Sequence, residues 1–420
     1  MRRLLISIII FLTTLPVFSQ APKKPEEKRF FVNVYGFVRN DFYYDSRRSI
    51  ESAAGLFHLI PEDRKLNDLN EDLNEIPSSK LLSTASRFGL RVKGPNVWGA
   101  SAAARIEADF DGFSGSNTMF RIRQAWVKLM WDQIDLAVGQ SWHPMFGEVV
   151  PTVMSLATGS PFQPFNRSPQ VRVDYRAGDF KTYLAALYKL QYNSPGPFKT
   201  SSDYLRDGIL PELYLGFDFT KKRWMAGAGI DFIRLRPRVI GEREIQINGE
   251  PRVIETKVSD NISSFSFNAF AQYMIKDRFA IKAKTIYGQN MGHLLLLNGY
   301  GISKKNDNGS YEYTGLSNST SWLNITYGGK YQAGLFLGYS KNLGSSNKLL
   351  EEPYTFGPSN IDQVFRVAPQ VSYNLRHWLF GIEYEMTTAS YGTMDLRDGK
   401  VKNTHNVTNN RIVGTMAYYF

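Results

Sequence analysis

From Phe30 onward the chain alternates apolar and polar residues with a period of two. Residues 171–176, VRVDYR, place Val171, Val173 and Tyr175 on one face and Arg172, Asp174 and Arg176 on the other. Residues 86–93 set Phe88, Leu90 and Val92 against Arg87, Arg91 and Lys93. Residues 264–275 set Phe265, Phe267, Tyr273 and Ile275 against Ser264, Ser266, Asn268 and Gln272. Residues 376–386 set Trp378, Phe380, Ile382, Tyr384 and Met386 against His377, Glu383 and Glu385. Period two predicts strands with one apolar face. Sixteen are expected, near 30–45, 85–94, 98–111, 118–130, 134–140, 169–177, 180–190, 210–219, 223–236, 256–275, 278–289, 321–328, 331–340, 361–374, 377–388 and 410–420.

The connections alternate in length. Short links are read at Gly94-Pro95-Asn96, Trp131-Asp132-Gln133, Ala177-Gly178-Asp179, Lys221-Lys222-Arg223, Lys276-Asp277, Gly328-Gly329-Lys330 and Leu375-Arg376. Long ones are read at 46–84, 112–117, 141–168, 191–209, 237–255, 290–320, 341–360 and 389–409. Charges facing water would also suit a soluble sandwich. Aromatic strand ends and the alternating link lengths favour an all-β fold, a transmembrane antiparallel β-barrel of about sixteen strands with short turns on the periplasmic rim. Within the first long link, Leu66, Leu69, Leu73 and Ile76 recur at helical spacing, so 61–82 reads equally as a short amphipathic helix or a solvated acidic loop.

Residues 1–19 carry Arg2 and Arg3, an apolar run from Leu4 to Leu15, and small Val17 and Ser19. This predicts a signal peptide cleaved near Ser19/Gln20. Residues 20–29 read as a polar periplasmic lead-in, and 30–420 as one barrel domain. In the last segment Ile412, Met416, Tyr418 and Phe420 share one face. The terminal Phe420 is expected to address the chain to the barrel-assembly machinery of the bacterial cell outer membrane.

Composition narrows the function. The 420 residues contain no cysteine, which excludes disulfides, thiol nucleophiles, thiolate metal sites and a lipoprotein anchor. The mean hydropathy of -0.30 is too polar for a helical membrane protein and fits a wall that is apolar on alternate residues. The net charge is +11, spread one or two basic residues per segment rather than in runs, which argues against nucleic acid.

Sixteen strands leave an aqueous channel. The link 141–168 bears prolines and few charges, and a segment so apolar is expected to fold inward and narrow the lumen. By alternation, Arg39, Arg87, Arg91, Arg105, Arg172 and Arg176 face the lumen, with Asp41, Glu107, Asp109, Asp174 and Glu148 nearby. Arg121 and Arg123 join them, although RIRQAWVK alternates poorly. Such a lining sets ion preference, and the arginine excess suggests weak preference for carboxylates and phosphates. The histidines His58, His143, His293, His377 and His405 show no pairing at metal-ligand spacing. No cofactor and no metal are expected.

GFVRNDFYYDS (36–46), SRFGLRVKGP (86–95), RIRQAWVKL (121–129) and LAVGQSWHPMF (136–146) resemble segments of the DcaP-type outer-membrane porins, in order and at similar spacing. The likeness covers the first third of the chain best. It implies a sixteen-stranded homotrimer with an arginine-lined constriction for small negatively charged solutes, resting on Arg39 and Asp41, Arg87 and Arg91, Arg121 and Arg123, and the link after Gln140. Gln124 and His143-Pro144 depart from the pattern. The leader, ending FSQ, is of Bacteroidetes style. The expectation is a porin in outer-membrane lipid for passive diffusion of small polar or anionic solutes. The alternatives are a structural or docking barrel, and a barrel lipid hydrolase acting through Ser141 and His143.

Overall fold

The computed structural model describes residues 30–52, 55–110, 120–275 and 278–420. The leader 1–19, the lead-in 20–29, the link 112–117 and the turn Lys276-Asp277 lie outside them. Sixteen strands form the wall. They are β1 (Phe31–Asp45), β2 (Arg87–Val97), β3 (Ala100–Asp109), β4 (Arg121–Met130), β5 (Ile134–Trp142), β6 (Arg167–Ala177), β7 (Phe180–Leu187), β8 (Glu212–Lys221), β9 (Trp224–Leu235), β10 (Ile262–Ile275), β11 (Phe279–Gln289), β12 (Tyr311–Gly328), β13 (Tyr331–Ser345), β14 (Ile361–Asn374), β15 (Trp378–Asp395) and β16 (Lys400–Tyr419). Each pairs antiparallel with its chain neighbour, and β1 closes the ring. Its register runs Phe31↔Lys93 to Phe37↔Arg87 on β2 and Phe37↔Tyr419 to Asp45↔Arg411 on β16. Closure leaves no strand edge in the wall, as lipid requires.

The alternation places the faces as expected. Val171, Val173, Tyr175, Phe265, Phe267, Ile382, Ile412 and Met416 are exposed on the outside, while Asp174, Ser264, Ser266, Asn268, Glu383 and Glu385 are buried within. Aromatic pairs ring the short-turn rim: Phe180–Phe219 at 5.1 Å, Trp224–Tyr273 at 4.4 Å, Tyr331–Tyr373 at 4.9 Å and Trp378–Tyr418 at 4.8 Å. Such girdles mark the level of a membrane–water interface.

Several boundaries differ from the sequence reading. The first short turn lies at Trp98 and Gly99, both with positive φ, and Gly94-Pro95-Asn96 stays in the strand. The links 290–320 and 389–409 are more than half strand, and β13 enters 341–360 as far as Ser345: β12, β13, β15 and β16 run on past the apolar belt. Beyond lipid the outward face turns polar, as at Ser319, Thr388 and Thr408, while Leu316, Tyr391 and Val407 are buried on the inward face, so the apolar-outward alternation ends while the pairing continues. The link 237–255 is a hairpin, Ile240–Ile247 against Glu250–Lys257, turned at Asn248-Gly249 with φ of 55° and 82°. Two left-handed residues match a type I′ turn.

No helix forms at 61–82. The Asn67 carboxamide accepts from the Leu69 and Glu71 N–H groups, and the Asp72 carboxylate from those of Lys65 and Asn74. These side chains take the donors that a helix would have used, and Leu66 and Leu69 are exposed. Upstream, the hairpin Ser49–Ser52/Phe57–Pro61 does turn inward, with Phe57, His58, Leu59 and Ile60 buried in the barrel mouth.

Ile230 faces lipid at mid-strand, beside Leu215 and Phe267. A lysine there is expected to cost about 2–4 kcal/mol of barrel stability. Equilibrium unfolding in urea from lipid vesicles measures it; an unchanged midpoint for Ile230→Lys would place this face away from lipid.

Candidate functional site

Between β5 and β6 the chain does not leave the barrel. It crosses the lumen, burying Met145, Phe146, Val149, Met154, Ala157, Phe162 and Phe165. An irregular segment leaves backbone groups without partners, and these must be met by lumen side chains. The wall from β11 to β15 supplies them. Asn324 accepts from Thr152 N at 2.8 Å, and the Gln370 amide donates to Thr152 O at 2.6 Å. Glu383 accepts from Met154 N and Ser155 N at 2.9 and 3.1 Å. Lys284 donates to Phe146 O at 2.5 Å, and Arg366 to Ser160 O at 2.9 Å. Trp322 Nε1 donates to Gln163 at 2.9 Å. Two wall glycines leave holes for the segment. A Cβ at Gly381 would lie 2.2 Å from the Met154 sulfur, and one at Gly338 would lie 2.5 Å from the Phe162 ring. The first-loop hairpin lies over this plug: Arg366 also donates to His58 O at 3.0 Å, and Phe57 meets Phe165 edge-on at 5.0 Å. The segment 291–297 completes it, with Leu294 O accepting from Phe165 N.

The opposite wall, β1 to β7, carries the arginines. Glu107 and Asp109 sit at the centre of a cluster. Arg123 bonds both, at 3.0 and 2.8 Å, and Arg121 bonds Asp109 at 2.7 Å. Arg105 bonds Glu107 at 2.6 Å, and Arg87 stands 3.8 Å from it. Tyr35 links Arg105 Nε to Glu107 through its hydroxyl, and the exposed Arg91 covers the Tyr35 ring at 4.3 Å. Arg172 bonds Asp174 at 2.5 Å, and Glu148 on the crossing segment bonds Lys181 at 2.6 Å.

Three expected members stand apart. Arg39 and Asp41 are buried against each other, and Arg39 donates to Met154 O at 2.5 Å, so this pair rivets the crossing segment. Arg176 bonds Asp135 at the short-turn rim. The poor alternation of RIRQAWVK has a local cause. Glu107 pairs with Gln124 and Ala108 with Ile122, leaving Arg123 as an extra residue. This bulge turns Arg121 and Arg123 inward before it, and Gln124, Trp126 and Lys128 inward after it.

Sequence reading missed Arg167, placed there at the end of a link. It is the first residue of β6 and fully buried. Its Nε donates to Gln191 at 2.9 Å and its plane covers Trp142 at 4.9 Å, yet neither terminal nitrogen has a hydrogen-bond partner. Its contacts adjoin two hollows. One, of about 310 Å³, is lined by Arg105, Trp126, Lys128, Ser141, Glu148 and Arg172. The other, of about 270 Å³, opens on the long-loop side and is lined by Glu51, Leu59, Gln191 and Tyr192. Arg167 binds Gln191 of the second and covers Trp142, chain neighbour of Ser141 in the first. Among the described residues, Arg87, Arg105, Arg121 and Arg123 stand at Glu107 and Asp109, with Arg91 on Tyr35 and Arg167 on Trp142.

The histidine spacing also misled. His143 and His293 are 150 positions apart, yet both reach Glu212 Oε1, at 3.0 and 2.9 Å. Lys189 bonds the other Glu212 oxygen. Burial, and then the Lys189 ammonium, hold both imidazoles well below the ordinary histidine pKa. His143 thus points to Glu212 and not to Ser141. Among the described residues, no serine hydroxyl hydrogen-bonds a histidine.

Neither a protein-family model nor a curated protein matches the sequence. Solved structures do. The outer membrane channel DcaP of Acinetobacter baumannii superposes with a TM-score of 0.65 at 17% identity, over 96% of this chain and 100% of that one. Outer-membrane-expressed OmpT of Vibrio cholerae gives 0.54 at 12% identity, over 95% and 100%. Salmonella typhi OmpF gives 0.51 at 10% identity, over 93% and 97%. The resemblance read in the sequence therefore holds at the level of fold.

The glycine holes give a direct test of the crossing segment. Gly338→Leu is expected to expel Phe162 and forfeit about 1.5–3 kcal/mol of burial. Protease added to the folded barrel would then cut within 147–161 much faster than in the parent protein. Equal cutting rates would show that the segment does not depend on this contact.

Proposed function

We propose that this chain is an outer-membrane porin, a passive diffusion channel for small polar solutes with a weak preference for carboxylates and phosphates. The observation that carries this reading is the asymmetry of the lumen. One wall grips a crossing segment, and the other presents four arginines at two carboxylates, with Arg91 beside them on Tyr35. In a narrow, partly desolvated passage that excess attracts anions and repels cations. The lining residues are Arg87, Arg91, Arg105, Glu107, Arg121, Arg123, Glu148, Arg172 and Asp174, with Arg167 buried behind them; Arg39 and Asp41 shape the path by holding the segment, and Arg176 guards the rim. The aromatic girdle and apolar belt meet outer-membrane lipid. A homotrimer, delivery by the leader, and assembly through Phe420 complete the reading, which supports no enzymatic role.

Purified protein in planar bilayers is expected to give ohmic conductance, with a reversal potential displaced toward anions in a salt gradient. Changing Arg87, Arg91 and Arg172 together to serine is expected to move that potential toward cations by several-fold in permeability ratio. Unchanged selectivity would remove these arginines from the path. An intact barrel without conductance would favour the docking reading.

A further inference from the structure

We infer that His143, His293, Glu212, Lys189 and Asp231 form a proton-operated latch that frees the root of the crossing segment when the medium turns acidic. The cluster joins five parts of the fold. His143 opens the crossing segment, and its backbone N–H donates to Asn166 O at the segment's far end, 3.0 Å away. Glu212 comes from β8, Asp231 from β9, Lys189 from the loop after β7, and His293 from the inward 291–297 stretch. All five side chains are buried.

The hydrogen bonds fix the protons. Met145 N–H donates to His143 Nδ1 at 3.1 Å, so the imidazole proton is on Nε2 and goes to Glu212 Oε1. The same bond sets aside a metal site. A neutral histidine ligating through Nε2 carries its proton on Nδ1, where the Met145 N–H already points. The Lys189 ammonium also holds the place a cation would take on Glu212.

Acid reverses this arrangement. A second proton on His143 must enter at Nδ1, where donor would face donor and the Met145 bond is lost. For His293 only the Asn290 backbone favours the charged ring, and burial with the neighbouring Lys189 and His143 outweighs it. With both rings charged, two imidazolium ions and Lys189 face Glu212 and Asp231, the latter 3.8 Å from His143 Nε2. From β11, Lys284 adds a further ammonium, bonded to Met145 O at 3.2 Å and to Phe146 O. From β8, Tyr214 offers only a ring edge, 6.1 Å from His143. The depressed imidazoles set the direction: their contribution to holding the segment is present above the ordinary histidine pKa and is lost as pH falls below it.

Hydrogen exchange of the 143–166 amides in the full-length detergent-solubilised protein tests this without assuming a channel. After correction for intrinsic rates, protection is expected to fall at least about tenfold between about pH 7.5 and about pH 4.5. In His143→Gln/His293→Gln, the side-chain amides still donate to Glu212 but do not titrate, and the fall should vanish. Should the double variant fail to fold, each single variant is expected to move the midpoint to lower pH. Constant protection in the parent protein, or an unshifted midpoint in the variants, overturns the latch. Bilayer conductance, recorded in parallel, rests on the channel reading and should rise as protection falls. Absent conductance with the expected exchange would sink the channel reading and leave the latch standing.

Discussion

The interior of this barrel is organised by one requirement: an irregular stretch of backbone placed inside a closed wall must find a partner for every polar group. Outside, lipid offers nothing, and ring closure meets the need. Inside, the segment after His143 has no ladder of its own, so its donors and acceptors fall to side chains. Asn324, Gln370, Glu383, Lys284 and Arg366 answer them from β11 to β15. The apolar remainder drops into gaps left by Gly338 and Gly381. With that side of the lumen committed to holding chain, the free lining is what β1 to β7 present.

That lining is arginine-rich, and its acids are all engaged. Glu107 and Asp109 each bond more than one guanidinium. Pairing of this kind stiffens the wall while leaving positive charge in excess. Arg167 is the extreme case: fully buried, stacked on Trp142, with two nitrogens unengaged. An unpaired buried charge is costly, and here stacking on Trp142 and the bond to Gln191 offset part of that cost.

Most of the wall was legible in the sequence because a lipid-facing strand keeps period two wherever the belt runs. Val171 to Arg176 and Ser264 to Ile275 show it directly. Legibility fails for physical reasons at four places. Past the belt, β12, β15 and β16 continue with a polar outward face and apolar residues such as Leu316, Tyr391 and Val407 turned inward. At Arg123 a single extra residue reverses the phase. At 61–82 the helical spacing of leucines is overruled by Asn67 and Asp72 capping nearby N–H groups. His143 and His293, like the inward hairpin holding His58, are brought together by tertiary folding, and spacing along the chain carries no trace of that. The inward course of 141–168 was legible from its apolar content; its anchors on β11 to β15 were not, because isolated amides on strands look like any other lumen residue.

The central claim is that a gripped segment and an arginine wall together make a narrow passage that favours anions. Solute-induced swelling of liposomes containing the purified protein tests it most directly, using a small carboxylate and a small amine of equal size and opposite charge. The account predicts faster swelling with the carboxylate, and a steep fall in rate as either solute is enlarged. Equal rates for the two charges, or a faster amine, would contradict it.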